Sequence, residues 1–166
     1  MTIFNYFAFG SNLDEEQMKS RVGIFPERKP AFLEDYKLVF NKKAAGLIDK
    51  RYANIMPEKG SIVEGAIYIL SEYQIELLDI EEVCPKTQYD KDNFLYSYTR
   101  EELEVKLKDS SEIIKAQVYI ANPNKIFEGI PTKDYLERIL KGKDVFSDDY
   151  YNKLLKNEFL DLEYNY

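Results

Sequence analysis

Asp79, Glu81 and Glu82 form an acidic cluster near the end of a segment with helical character. Ile75, Leu78 and Glu82 are spaced i, i+3 and i+7 and so share one helical face. A carboxylate on an apolar face is desolvated, which raises its pKa, and the partial negative charge of a helix C-terminus pushes the same way. A glutamate tuned upward is a usable acid and base near neutral pH. Tyr73, Leu77 and Ile80 lie on the other side of the wheel, so a second reading stands beside the first: a solvated acidic helix end.

The second candidate is the loop Gly10-Ser11-Asn12-Leu13, between an apolar segment and a helix start. Glycine adopts backbone angles closed to other residues, which lets backbone N–H groups turn toward a ligand. Such amides bind a carboxylate or a developing oxyanion. The same spacing also suits an ordinary strand-to-helix turn. Tyr89, Tyr119 and Tyr135 each offer a hydroxyl to a pocket, or equally a ring to the core or its rim. Cys84 is a lone thiol and reads as a small packing residue.

The chain has no histidine, which removes Ser-His-Asp and Cys-His catalysis and imidazole metal sites. One cysteine removes intramolecular disulfides and dithiol redox motifs. Proton transfer therefore falls to a carboxylate, lysine or tyrosine. The net charge of −7, with dispersed lysines, argues against nucleic acid and against an anionic membrane surface as partners. No apolar run is long enough to span a bilayer and no secretory pattern opens the chain, so the expected location is the cytoplasm.

These groups need elements to hold them. Ile3 to Phe9 reads as a buried strand, and Asp14 with Gln17 as a capping box opening a helix. Ala31 to Asn41 suggests a second strand. Tyr52 to Met56 reads as a short strand ended by Pro57, with a turn over Pro57 to Gly60. Ser61 to Leu70 is a strong strand, whose Gly65 marks a bulge or a close backbone approach. Ser71 and Gln74 form a second capping box, opening a helix to Glu81 or Glu82. Phe94 to Lys108 holds one or two β segments, and Ile113 to Ala121 another strand. Thr132 to Lys141 and Ser147 to Phe159 read as helices with polar N-caps. The expected organisation is one α+β domain over residues 1–160, with a C-terminal tail over 161–166.

Taken together, the segments resemble the γ-glutamylcyclotransferase-like family, which includes γ-glutamylamine cyclotransferases and AIG2-like proteins. The opening block stands as Tyr6-Phe7-Ala8-Phe9-Gly10-Ser11-Asn12-Leu13, followed by Met18 and Arg21 at familiar distances. Ala53 to Pro57, Val63 to Tyr68 and Leu78 to Glu82 resemble the next blocks, with Tyr89 at the usual distance beyond. Val118 to Ala121, Pro131 to Leu136 and Asp149-Tyr150 complete the order.

The resemblance implies a single-domain mixed β-barrel flanked by helices, with a pocket at the barrel's edge. It also implies a reaction without cofactor or metal: the α-amine of a γ-glutamyl group attacks its own γ-amide carbonyl, giving 5-oxoproline and a released amine or amino acid. Glu82 would be the catalytic acid/base. Phe9, Gly10, Ser11, Asn12, Leu13, Tyr89, Tyr119 and Tyr135 would bind the substrate, a small γ-glutamyl molecule, in a monomer or homodimer. Three departures stand out: Phe9 for the second motif tyrosine, Val83 for the glycine after the catalytic glutamate, and a Cys84 to Gln88 stretch without the usual glycines. They motivate two alternatives: a non-catalytic small-molecule binding protein on the same fold, and a related carboxylate-dependent acyl transferase.

Overall fold

The computed structural model describes residues 1–45, 49–86 and 95–161. Five strands, β1 (Ile3–Ala8), β2 (Lys29–Lys43), β3 (Arg51–Ser71), β4 (Tyr98–Leu107) and β5 (Ile113–Ala121), close into a barrel in the order β1-β3-β2-β4-β5. All neighbours are antiparallel except β1 and β5, which meet in parallel at Tyr6 and Gln117. Four helices flank it: α1 (Glu15–Val22), α2 (Glu72–Glu81), α3 (Lys133–Leu140) and α4 (Asp148–Leu155). The expected mixed barrel with flanking helices is the observed fold. Phe7, Val63, Ala66 and Val118 fill its interior, each with no measurable exposure.

Two expectations are corrected. Pro57 does not end a strand, and Pro57 to Gly60 is not a connecting turn. Pro57 pairs with Tyr36, and the ladder resumes at Glu34 and Ile62. Thus β2 spends one residue, Asp35, where β3 loops outward through Glu58 to Ser61. Asp35 and Gly60 both adopt positive φ there (62° and 85°), and the Gly60 N–H donates to Asp35 Oδ1 at 2.9 Å. Proline is tolerated at such an irregularity because the ladder is already broken. The second correction is α4, which stops at Leu155 instead of reaching Phe159. Leu160 donates to the Pro131 carbonyl and accepts from Lys133 N–H, which draws the chain out of helical conformation.

The first capping box is only half made. Asp14 accepts from the N–H groups of Glu16 and Gln17, but the Gln17 side chain turns to Ser11 and Asn12. The second box is complete, Ser71 and Gln74 exchanging both bonds. Gly65 does mark a close approach: a Cβ there would sit 2.1 Å from the Ala8 carbonyl oxygen.

Candidate active site

The 3-10 turn Ser11–Leu13 leaves the end of β1 and feeds α1. Its carbonyls are all held from behind. Gly10 O accepts from Leu13 N–H and Ser11 O from Asp14 N–H. Asn12 O accepts from the Tyr68 hydroxyl at 2.8 Å, and Leu13 O from Arg28 Nη1 at 2.6 Å. Arg28 also donates to Tyr68 and Asp144, which braces the turn from the core. The leading N–H groups of a helical turn have no partner within it, so those of Ser11 and Asn12 head the turn as ready donors.

Gly10 is needed here for space, not for an unusual φ. Its φ is −113°, open to any residue, but a Cβ would lie 3.3 Å from both Ala53 Cβ and the Tyr135 hydroxyl. That hydroxyl accepts from Ala53 N–H at 2.9 Å, while the Tyr98 hydroxyl donates to Ala53 O at 3.1 Å. Two buried tyrosines thus clamp one residue of β3 against the turn.

The apolar face of α2 is the one carrying Ile75 and Leu78, both buried, whereas Tyr73 and Ile80 are each 70% exposed. Glu82, the C-cap residue, follows the buried face inward; its side chain is 17% exposed against 48% for Glu81. Burial raises the Glu82 pKa, partly offset by Arg21, Lys42 and Asn12. The acidic cluster is dispersed. Asp79 accepts from the Tyr119 hydroxyl at 2.7 Å and faces Arg100, Glu81 sits at the rim 3.9 Å from Arg21, and Glu82 alone of the three turns in.

Asn12 ties the turn to Glu82. Its Nδ2 donates to the Tyr6 hydroxyl at 2.9 Å and to Glu82 Oε1 at 3.3 Å. Its Oδ1 accepts from Arg21 Nη1 at 2.8 Å and Gln17 Nε2 at 3.2 Å. The side-chain amide is therefore fully used. Arg21 Nη1 also approaches Glu82 Oε1 at 3.5 Å. Both contacts fall on one oxygen, and Oε2 has no protein partner among the described residues.

These groups face a cleft of about 440 Å³, lined by Phe9, Gly10, Ser11, Asn12, Glu82, Tyr119 and Tyr135 among others. That volume suits a small molecule. Of the residues singled out in the sequence, Leu13 is not on the cleft: its side chain is fully buried and its N–H is spent on Gly10. The Tyr119 ring lines the cleft, but its hydroxyl is committed to Asp79. Tyr89 lies outside the described residues. Sequence reasoning did not single out Lys42, Lys50, Tyr52 and Tyr98, which also line the cleft. Lysines at strand ends read as solvated, and no periodicity marks these two as buried.

Residues 6–137 match the family described as Gamma-glutamyl cyclotransferase, AIG2-like. The chain belongs to the γ-glutamylcyclotransferase family. It is an enzyme of the cyclotransferase type. Among solved structures, it is similar to a γ-glutamyl cyclotransferase at TM-score 0.81 and 23% identity, covering 99% of this chain and 93% of that one. An uncharacterised protein from Homo sapiens gives 0.79 and 24%, over 99% and 94%. A γ-glutamyl cyclotransferase specific to glutathione from yeast gives 0.64 and 15%, over 94% and 95%. No curated protein matches the chain. At these identities the structures speak for the shared barrel; the family rests on the matched sequence. No helix among the described residues is long and apolar enough to cross a membrane.

Proposed function

We propose that this cyclotransferase releases 5-oxoproline from a γ-glutamyl amine, amino acid or γ-glutamyl-capped metabolite, with Glu82 as acid and base. The observation that carries the reading is the Asn12 link: one residue lends its N–H to the turn and holds Glu82 by its side chain. A substrate carbonyl bound at the turn thereby lies within the reach of a partly desolvated carboxylate.

The chemistry follows from those groups. Glu82 Oε2 takes a proton from the substrate's α-ammonium, and the freed amine attacks the γ-carbonyl. The tetrahedral oxyanion is met by the leading amides of the Gly10 to Leu13 turn. Glu82 returns that proton to the departing nitrogen as the C–N bond breaks; the attacking nitrogen sheds its second proton as the lactam forms, and that proton leaves on the released amine as its ammonium, so no net proton is consumed at the carboxylate. Because attack is intramolecular, the enzyme mainly has to hold a folded conformer. Each oxyanion donor contributes ~2.7–4 kcal/mol of transition-state stabilisation.

The Val83 departure is compatible with activity. Val83 adopts φ +49°, the left-handed conformation that a glycine would take at this position, so the backbone route past Glu82 is that of a glycine. We place the protein in the cytoplasm as a monomer or homodimer, acting on a small molecule and not on nucleic acid or membrane. The test is mass spectrometry of products from a panel of γ-glutamyl amides. Release of 5-oxoproline with the free amine is expected; ligand-induced stabilisation without product would replace this reading with a binding protein.

A further inference from the structure

Lys42 lines the cleft with only 4% of its surface exposed, and β2 is irregular where it does so. Phe40 pairs with Ala53 and Lys42 with Tyr52, so Asn41 is the extra residue of a β-bulge. Neighbours on a regular strand face opposite sides, yet Asn41 and Lys42 are both buried. Bulges re-aim side chains and are over-represented beside active sites. This one is locked in place by β3, β5 and the segment after the turn Pro123–Lys125. Asn41 Oδ1 accepts from Asn54 Nδ2 at 3.1 Å, and Asn54 Oδ1 accepts from Ala121 N–H at 2.9 Å. Asn41 O accepts from Phe127 N–H at 2.7 Å.

The ammonium is enclosed as well. Lys42 Nζ is 5.4 Å from the ring centroids of both Tyr52 and Tyr98, and the Tyr98 hydroxyl is itself bonded to Ala53 O. Glu82 lines the same cleft, and the two charges act on each other, each favouring the other's charged form against the effect of burial. Lys125 opposes the charge on Lys42, and Glu81 opposes the charge on Glu82. Lys50 shares the Tyr52 ring but pairs with Asp134. Tyr6, Tyr98 and Tyr135 feel Glu82 too, yet burial holds each above the usual tyrosine range, so they stay neutral. Arg21 acts on Glu82 at 3.5 Å, but it is partly exposed, and it is shared with Asn12 Oδ1 and Glu81. Lys42 is the enclosed cation, and enclosed charges are screened least.

We propose that Lys42 is a positioning residue for the reaction: aimed into the cleft at the Asn41 bulge, its ammonium acts through space to keep Glu82 ionised and able to take the proton of the substrate's α-ammonium. The proposal rests on the reading of Glu82 as acid and base. A desolvated carboxylate without this counter-charge would be protonated, and idle as a base, over a wider range of pH.

The test has two arms. In the first, the Glu82 carboxyl is titrated by carbon NMR in the protein without substrate, its signal assigned with Glu82→Gln. Lys42→Met should raise the midpoint by about one pH unit, and Lys42→Arg should hold it near the wild-type value. Lys37→Met removes the same charge from an exposed pair with Glu58 and should leave the midpoint unmoved. In the second arm, 5-oxoproline release from γ-glutamyl-alanine and γ-glutamyl-ethylamine is followed against pH. The acid limb of kcat/KM should move upward in Lys42→Met by the same amount, with the rate recovered on its alkaline side; a merely structural loss lowers the rate alike at every pH. Should Lys42→Met not fold, Glu82→Gln decides, because the coupling is reciprocal: Lys42 should then lose its proton at a lower pH than in the wild type. A Glu82 midpoint unmoved in Lys42→Met, a Lys42 titration unmoved in Glu82→Gln, or a rate loss equal at all pH overturns the proposal. Absence of product from both probes counts against the reaction and not against the coupling, which the titration judges by itself.

Discussion

Replacing Val83 with glycine should stabilise the fold, and the size of the effect can be worked from the end of α2. Val83 N–H donates to Ile80 O at 3.1 Å and Cys84 N–H to Asp79 O at 2.8 Å. With Glu82 as C-cap, these are the paired bonds of a Schellman-type cap, whose first residue beyond the helix must be left-handed. A non-glycine residue held there costs roughly 1–3 kcal/mol, and a β-branched one belongs at the upper end. Glycine gives back roughly 0.5–1 kcal/mol in unfolded-chain entropy. Val83 is 45% exposed, so truncating it forfeits only part of a valine's burial, on the order of 0.5–1 kcal/mol. The net expectation is a gain of about 1 kcal/mol, or a rise in Tm of about 2–4 °C for a chain of this size. Denaturant and thermal unfolding of the wild type, Val83→Gly and Val83→Ala provide the assay. Alanine loses packing and keeps most of the strain, so glycine should rank above both. If Val83→Gly ranks below the wild type, the left-handed strain argued for this position does not exist.

Other expectations follow from the same geometry. Tyr135→Phe removes the acceptor for the buried Ala53 N–H and should cost ~1–3 kcal/mol in unfolding free energy, with Gly10 less firmly placed and kcat reduced. Arg28→Met frees the carbonyl of Leu13 and the Tyr68 hydroxyl; kcat and stability should fall together, and Arg28→Lys should recover only part, since a point charge cannot replace the fork. Glu82 gives a signed pH signature. Burial raises its folded pKa above 4.5, so the folded state takes up the proton first as pH falls. The wild type should therefore gain stability relative to Glu82→Gln as pH drops through the raised folded value toward 4.5. A difference that is flat across that range contradicts the burial assigned to Glu82. Lys42 titrates the other way, burial lowering its pKa to about 8, with Lys125 adding to the shift and Glu82 opposing it while the Tyr52 and Tyr98 rings enclose it.

What was legible in the sequence was mostly local. The strand, turn and helix order around Gly10 needed only an apolar run, a glycine and an acidic N-cap. The inward turn of Glu82 was half legible, because its i, i+3, i+7 relation to Leu78 and Ile75 named the right face without excluding the other. The barrel's packing settled it by burying Leu78 and leaving Ile80 in solvent. Less was legible where the cause is long-range. Pro57 looked like a strand end because the compensating irregularity lies at Asp35 on another strand. Gly10 was assigned to backbone freedom, when the constraint comes from Tyr135 on a helix more than a hundred residues away. Asn12 reads in the sequence as one residue of the substrate loop, and nothing there shows that its side chain is taken up by Tyr6, Glu82, Arg21 and Gln17. Lys42 gave no signal, since nothing in a lysine pair at a strand end foretells enclosure between two tyrosine rings.

The central claim is that Glu82, and not its neighbour, moves the proton. The most direct measurement compares 5-oxoproline release by the wild type, Glu82→Gln and Glu81→Gln on the same γ-glutamyl substrate, with folding checked for each. Glu82→Gln should lose at least ~10²–10⁴-fold in kcat, the contribution of a placed acid and base, while Glu81→Gln retains most of it. Full activity in Glu82→Gln, or a loss confined to Glu81→Gln, would contradict the account.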